Sequence, residues 1–184
     1  MKALVALLLF NTLAALGQPA QIILFRHAEK PDDPAALHLS LRGEKRARAL
    51  VSLLGTNSTL TSNAPIAALY ATHLTKHDHS ERTSETLAPL AKQLGLSVRA
   101  PYQAELYSFL ARDILKNADY RSKTVLICWT HHDIADLAAA LGVKPKPAPW
   151  KDKTFDRLWL IKPSNSKAKF NDVPQQLLKG DSKR

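Results

Sequence analysis

The chain has 184 residues, and because domains average roughly 150 residues the length predicts a single domain. Hydrophobic residues make up 45% and charged residues 23%, which is typical of a globular protein with a substantial core. The balance of 26 Lys and Arg against 16 Asp and Glu gives a formal net charge of +10, which favours anionic partners. The single cysteine, Cys128, excludes an internal disulfide and lies in an apolar run, where a small buried side chain is expected.

Residues 1–17, MKALVALLLFNTLAALG, have the pattern of a secretory signal peptide. Lys2 provides the positive start, a mostly apolar stretch follows, and small residues near Gly17 offer a cleavage point. The stretch is shorter than the roughly 20 residues of a membrane span and contains Asn11, so no stable membrane insertion is expected after cleavage. The alternative is an N-terminal strand or helix of the core. We expect an exported protein, periplasmic or secreted.

Apolar runs of strand length alternate with stretches of helical periodicity along the rest of the chain. The predicted strands are residues 21–25, 64–71, 98–102, 123–130 and 155–161. The predicted helices are residues 40–54, with Ser40 as N-cap, and residues 81–94, 105–117 and 133–141. This order predicts an α/β three-layer sandwich, in which helices flank a mostly parallel central sheet.

The predicted domain covers residues 18–163. From residue 164 the sequence is polar and rich in lysine, and a basic, poorly ordered C-terminal tail is expected over residues 164–184. Ligands of such sheets bind beyond the carboxyl ends of the strands. Arg26 and His27 follow the first predicted strand, His73 follows the second, and His131 and His132 follow the strand at 123–130. The sequence therefore predicts a cationic site at one edge of the sheet.

Four segments in this order resemble the histidine phosphatase superfamily, which has the phosphoglycerate-mutase-like fold. They are ILFRHAEKP (23–31), LSLRGEKRARAL (39–50), SERTSETLAPLA (80–91) and VLICWTHHDIADLAAALG (125–142). Ala28 stands where the family signature usually has glycine. The WTHHDI and FDRLWLI segments look most like a branch with secreted bacterial and fungal members.

The resemblance implies a role for each matching residue. His27 would be the nucleophile that forms a phosphohistidine, and Arg26 and Arg82 would bind the phosphoryl oxygens through bidentate hydrogen bonds. His131 would be a further catalytic and phosphate-binding donor. His132 is the adjacent alternative, expected to line the pocket or to cap the next helix. No cofactor and no metal is implied.

The sequence leaves several candidates for the residue that acts as general acid. Glu105 lies in the region where many family members carry a carboxylate that protonates the leaving oxygen. An ordinary glutamate at the start of a helix is the competing interpretation. Glu29, just after the nucleophile, and Asp133, just after the histidine pair, are the other candidates.

A second histidine cluster, His73, His77 and His79 with Asp78, has donors that suit zinc or copper. The segment is a polar connection before a helix, so a rim that faces the substrate is the preferred interpretation. Lys30 and Lys76 are candidates for the same rim.

The resulting prediction is an exported, metal-independent phosphomonoester hydrolase that acts on a small phosphorylated molecule. A phosphomutase of the same fold is the first alternative, and an inactive anion-binding member is the second. Nucleic-acid binding is not expected, because the basic residues lack interleaved exposed aromatic residues. The sequence identifies neither the substrate nor the oligomeric state.

Overall fold

A computed structural model describes residues 17–55, 58–76 and 79–183. The predicted signal peptide lies outside these residues except for Gly17. No helix in the described ranges is both long enough and apolar enough to span a membrane.

The centre of the molecule is a six-stranded mixed sheet with the order β3-β2-β4-β1-β5-β6. Strands β1 to β4 pair in parallel, β5 pairs antiparallel with β1, and β6 pairs antiparallel with β5. The strands are β1 (Gln21–Arg26), β2 (Ile66–Tyr70), β3 (Val98–Arg99), β4 (Thr124–Trp129), β5 (Arg157–Lys162) and β6 (Lys169–Pro174). The predicted mostly parallel sheet is therefore confirmed, with an antiparallel edge.

Helices cover both faces of the sheet, which confirms the three-layer α/β architecture. Buried residues of α1 and α2 share one apolar cluster with the strands, and buried residues of α3 and α4 share the other. Two short 3-10 helices, Ala104–Leu106 and Ala118–Tyr120, flank α3. The α-helices are α1 (Leu41–Leu54), α2 (Arg82–Leu94), α3 (Tyr107–Lys116) and α4 (Ile134–Ala140).

The two central strands deliver the Arg-His pair to the edge of the sheet. All six side chains of β4 are buried, and so are the last five of β1, as the apolar runs predict. The register aligns Arg26 with Trp129, and the backbone N–H of His27 donates to the Trp129 carbonyl at 3.2 Å. Because the strands are parallel and end together, the residues after β1 and β4 meet at one edge.

The start of α1 holds the loop that follows His27. The Ser40 hydroxyl accepts a hydrogen bond from the Gly43 N–H, which confirms the predicted N-cap, and the Ser40 N–H donates to the Glu29 carbonyl. A Cβ at Gly43 would lie 2.2 Å from the same Glu29 oxygen. Glycine therefore permits the close approach of α1 to this loop.

The expectation of a poorly ordered tail after residue 163 is wrong. Residues Lys169–Pro174 form β6 along the full length of β5. Beyond it, Gln175 is buried and Asp181 pairs with the buried Arg46 of α1. The polar composition was misleading because this segment is held by backbone pairing and ion pairs, which need no apolar periodicity.

Candidate active site

A cavity of about 160 Å³ lies at the edge of the sheet where β1, β2 and β4 end. It contains the four residues that the sequence predicts for phosphate binding and nucleophilic attack, together with both members of the histidine pair. Its lining consists of Arg26, His27, Lys30, Thr72, Ser80, Arg82, Thr83, Thr130, His131 and His132. None of these lining residues carries a carboxylate, and six of them are lysine, arginine or histidine, at positions 26, 27, 30, 82, 131 and 132.

His27 has the hydrogen bonding that a nucleophilic imidazole requires. Its Nδ1 lies 2.7 Å from the Ala28 carbonyl oxygen, which can only accept, so Nδ1 carries the proton. Burial, followed by the charges of Arg26 and Arg82 and the nearby His131, lowers the pKa of His27 to about 3, against the opposing effect of the Ala28 hydrogen bond. The ring is therefore neutral at pH 7, and Nε2 keeps its lone pair.

Arg26 is almost completely buried, and one of its three guanidinium nitrogens has protein partners. Nη1 donates to the carbonyl oxygen of Asp152 at 2.6 Å and lies 3.3 Å from that of Thr154. The Phe155 ring lies over the guanidinium, 4.1 Å from its centroid. Nε and Nη2 are buried and have no hydrogen-bond partner among the described residues. Such donors cost free energy unless a ligand accepts from them.

Arg82 is the first residue of α2 and reaches the same cavity. Its Nη1 donates to the Ala36 carbonyl oxygen at 2.9 Å. One turn later, the Thr86 hydroxyl donates to the Arg82 carbonyl and accepts from the Ala28 N–H. Thr86 thus connects the helix that carries Arg82 to the loop that carries His27.

His131 and His132 both line the cavity, and their ring centroids are 3.8 Å apart. Nε2 of His131 lies 3.2 Å from a carboxylate oxygen of Asp152. Burial, then the positive charge of Arg26 and the neighbouring His132, lowers the pKa of His131 to about 4, while Asp152 raises it. His131 is the less exposed ring of the pair.

The three carboxylates considered as general acid lie outside the cavity lining. Glu105 is exposed on the 3-10 helix before α3. Glu29 is bound by Arg46 and Arg42. Burial acts to raise the pKa of Glu29, but the hydrogen bonds from Arg46 outweigh this effect and the net pKa is lowered, so the carboxylate stays ionised. Asp133 accepts a hydrogen bond from the Thr130 hydroxyl.

His73 is exposed, and its Nδ1 lies 2.9 Å from the Ala100 carbonyl oxygen. His79 is also exposed, whereas His77 and Asp78 lie outside the described residues. Within the described ranges, no group of three or more histidine, cysteine or acidic side chains is close enough to hold a metal ion. Cys128 is buried in the apolar cluster of the α1 and α2 face, as predicted, and burial raises the pKa of its thiol.

Sequence reasoning missed the residues that support the site from loops. Asp152 follows a proline-rich connection and lies in none of the segments that carry the resemblance, and Phe155 begins the FDRLWLI segment, where no role was predicted for it. The hydroxyl oxygens of Thr72 and Thr83 form a hydrogen bond at 2.8 Å, which links the residues after β2 to the start of α2. Thr86 lies in the SERTSET segment that carries the resemblance, whereas Asp152 had no such signal.

Several solved structures share this fold. A mycobacterial glucosyl-3-phosphoglycerate phosphatase in complex with VO3 matches with a TM-score of 0.57 and 14% identity, over 83% of this chain and 97% of that chain. The protein histidine phosphatase SixA with tungstate matches with a TM-score of 0.56 and 18% identity, over 84% and 97%. A phosphoglycerate mutase from Bacillus anthracis matches with a TM-score of 0.58 and 12% identity, over 86% and 94%.

These similarities establish the phosphoglycerate-mutase-like α/β fold. Phosphatases and a mutase both occur among the similar structures. No family model matches the sequence, and no curated protein matches it either.

Proposed function

We propose that the protein is a histidine-type phosphatase that hydrolyses phosphomonoesters through a phosphohistidine at His27. The observation that carries this proposal is the position of two buried, unpartnered Arg26 donors in the cavity lined by a neutral His27. Oxygens of a phosphoryl group would satisfy these donors. The presence of phosphatases among proteins of the same fold agrees with the proposal.

The mechanism follows from the hydrogen bonding of the imidazole. Nδ1 of His27 is held by the Ala28 carbonyl, so Nε2 attacks phosphorus and the ester bond to the leaving oxygen breaks. Arg26 and Arg82 stabilise the charge on the equatorial oxygens. Water then attacks the phosphohistidine, the P–N bond breaks with its electron pair returning to Nε2, and inorganic phosphate leaves.

The size of the cavity limits how the substrate lies. A volume of about 160 Å³ is below the roughly 300 Å³ at which drug-sized ligands begin to fit, so the phosphoryl group occupies it and the rest of the substrate lies outside. A groove of about 620 Å³, which shares Lys30 with the cavity and is also lined by Phe155, offers room for that remainder. We infer a small phosphorylated molecule as substrate.

A phosphomutase is the second candidate, because one protein of this fold is a mutase. A mutase must keep the phosphohistidine away from water, which requires a cover over the site. The described residues after β6 pair with α1, and none of them lines the cavity. Hydrolysis is therefore the favoured reaction, and a catalytically inactive anion-binding protein is the remaining alternative.

The function is tested on the purified protein with p-nitrophenyl phosphate in the presence of EDTA. We expect steady turnover. When the protein reacts with a substrate labelled in its phosphoryl group and the reaction is quenched without acid, we expect the label on a histidine. This label should be stable in alkali and released by acid. Transfer of the phosphoryl group to an added alcohol in preference to water would instead identify a mutase. Phosphate binding without turnover of any phosphoester would identify the inactive alternative.

Arg82→Lys is expected to reduce kcat/KM, because lysine keeps the charge but cannot form the bidentate hydrogen bonds of a guanidinium. A charge-assisted hydrogen bond contributes about 1.5–3 kcal/mol, so we expect a roughly ten- to hundredfold loss. Arg48→Lys is the matched control, since Arg48 is exposed on α1 and pairs with Glu44. Equal kcat/KM values for the two variants would show that Arg82 does not bind the phosphoryl group.

We also propose export to the periplasm or the medium. This proposal depends on residues 1–17 alone, whose charge and apolar pattern suit a signal peptide. N-terminal sequencing of the protein recovered from producing cells decides whether those residues are removed.

A further inference from the structure

The loop of residues 151–155 contacts three of the four groups that we assign to phosphoryl transfer. Backbone carbonyl oxygens of Asp152 and Thr154 accept from Nη1 of Arg26. The Phe155 ring lies over the Arg26 guanidinium, and its centroid is 5.9 Å from that of the His27 ring. The Asp152 carboxylate completes the set, because its Oδ1 lies 3.2 Å from Nε2 of His131.

Among the described residues, Asp152 is a carboxylate that is available for proton transfer near the cavity. Glu29 is engaged by two arginines, Asp133 accepts from Thr130, and Glu105 is exposed outside the lining. Asp152 combines contact with a cavity imidazole and an 87% exposed side chain, so its carboxylate reaches both His131 and solvent.

The surroundings of His131 explain why it requires this carboxylate. The titratable groups that share the cavity with it are cationic or imidazole side chains, from β1 and its loop, from α2 and from its own loop: Arg26, His27, Lys30, Arg82 and His132. Burial, then the charge of Arg26 and the neighbouring His132, lowers the pKa of His131 to about 4 although Asp152 raises it. A bound phosphate dianion and the Asp152 carboxylate both act to raise the pKa of His131, because negative charges stabilise the imidazolium.

We propose that Asp152 is a positioning residue that acts through His131, orienting the ring and stabilising its protonated form so that His131 serves as general acid and then general base. The proposal rests on the phosphohistidine mechanism above. In the first step the His131 imidazolium gives its proton to the leaving oxygen as the ester bond breaks. In the second step neutral His131 takes a proton from the attacking water, so the net reaction is ester plus water to alcohol plus phosphate.

The test compares Asp152→Asn with the wild type on phosphate esters of graded leaving-group basicity. Asparagine keeps the backbone carbonyl that holds Arg26 but removes the charge. General acid catalysis contributes about 10²–10⁴-fold, so we expect a loss of at least about tenfold on alkyl phosphates and little change on p-nitrophenyl phosphate. Loss of the negative charge also lowers the pKa of His131, and the basic limb of the kcat–pH profile shifts to lower pH.

Two further variants make the result specific. Asp136→Asn also removes an exposed carboxylate, one that pairs with Lys146, and is expected to match the wild type. Glu105→Gln tests the donor that the sequence suggests, and a leaving-group-dependent loss there instead of at Asp152 overturns the inference.

The inference and the proposed function fail in different ways. If the wild type forms a phosphohistidine but Asp152→Asn keeps the wild-type leaving-group dependence and pH profile, or loses activity equally on all esters, Asp152 has no role in proton transfer. If the wild type neither turns over esters nor becomes labelled, the proposed function itself is wrong.

Discussion

Replacement of His27 by alanine is expected to abolish turnover while the protein stays folded. The nucleophile is the group that makes and breaks the bond to phosphorus, so its removal should reduce kcat by at least about a thousandfold. The fold should persist because His27 follows the end of β1, at the cavity and outside the two apolar clusters of the sheet. Hydrolysis of p-nitrophenyl phosphate and covalent labelling measure the loss, and circular dichroism and thermal unfolding measure the fold.

The adjacent pair offers a matched control for this prediction. His132→Ala removes a second imidazole from the same cavity, but His132 is exposed and has no assigned role in bond formation. We expect labelling of the enzyme to persist in His132→Ala and to disappear in His27→Ala. Labelling that survives in His27→Ala would place the covalent intermediate on another residue and contradict the mechanism.

The parts of the fold that could be predicted are those in which the local pattern and the tertiary structure agree. The apolar runs of β1 and β4 predict buried strands of a mostly parallel sheet, and the ends of these strands bring Arg26, His27 and His131 together. The Ser40 N-cap and the apolar face of α1 could also be predicted from the local sequence. The edge of the sheet that carries the phosphate site could therefore be predicted from the positions at which the apolar runs stop.

The parts that could not be predicted depend on contacts between residues far apart in the chain. Arg46 and Asp181 are 135 positions apart, and neither has a periodicity that identifies the other. Asp152 is one of several charged residues in KDKTFD, and its contact with His131 depends on how the loop before β5 folds back. Polar loops and ion pairs of this kind have no sequence signature, so their assignment requires coordinates.

Arg46→Met is expected to destabilise the protein by about 3–5 kcal/mol, the cost of removing one partner from a buried ion pair. Arg46 is 2% exposed, and all of its guanidinium nitrogens are engaged, with Glu29, Asp181 and Gln175 as acceptors. Methionine fills part of the space but removes the buried counter-charge of Glu29 and Asp181, whose carboxylates keep their contacts with the more exposed Arg42. Chemical denaturation measures the change, and Arg48→Met, in the exposed pair with Glu44, should change stability by less than about 1 kcal/mol.

The same network predicts a specific pH dependence. Burial acts to raise the pKa of Asp181, but hydrogen bonds from Arg46 and from the Leu178 and Leu177 N–H groups outweigh it and lower that pKa to about 2. A carboxyl whose pKa is lower in the folded state stabilises the protein at pH values above its unfolded pKa of about 3.9, and that stability is lost as the pH falls towards 2. We expect the wild-type free energy of unfolding to decline through this window and the decline to be shallower in Arg46→Met. An equal slope in both proteins would mean that Arg46 is not the group that keeps Asp181 ionised. Because Glu29 belongs to the network and lies two residues after His27, a loss of the network would also loosen the loop that holds the nucleophile.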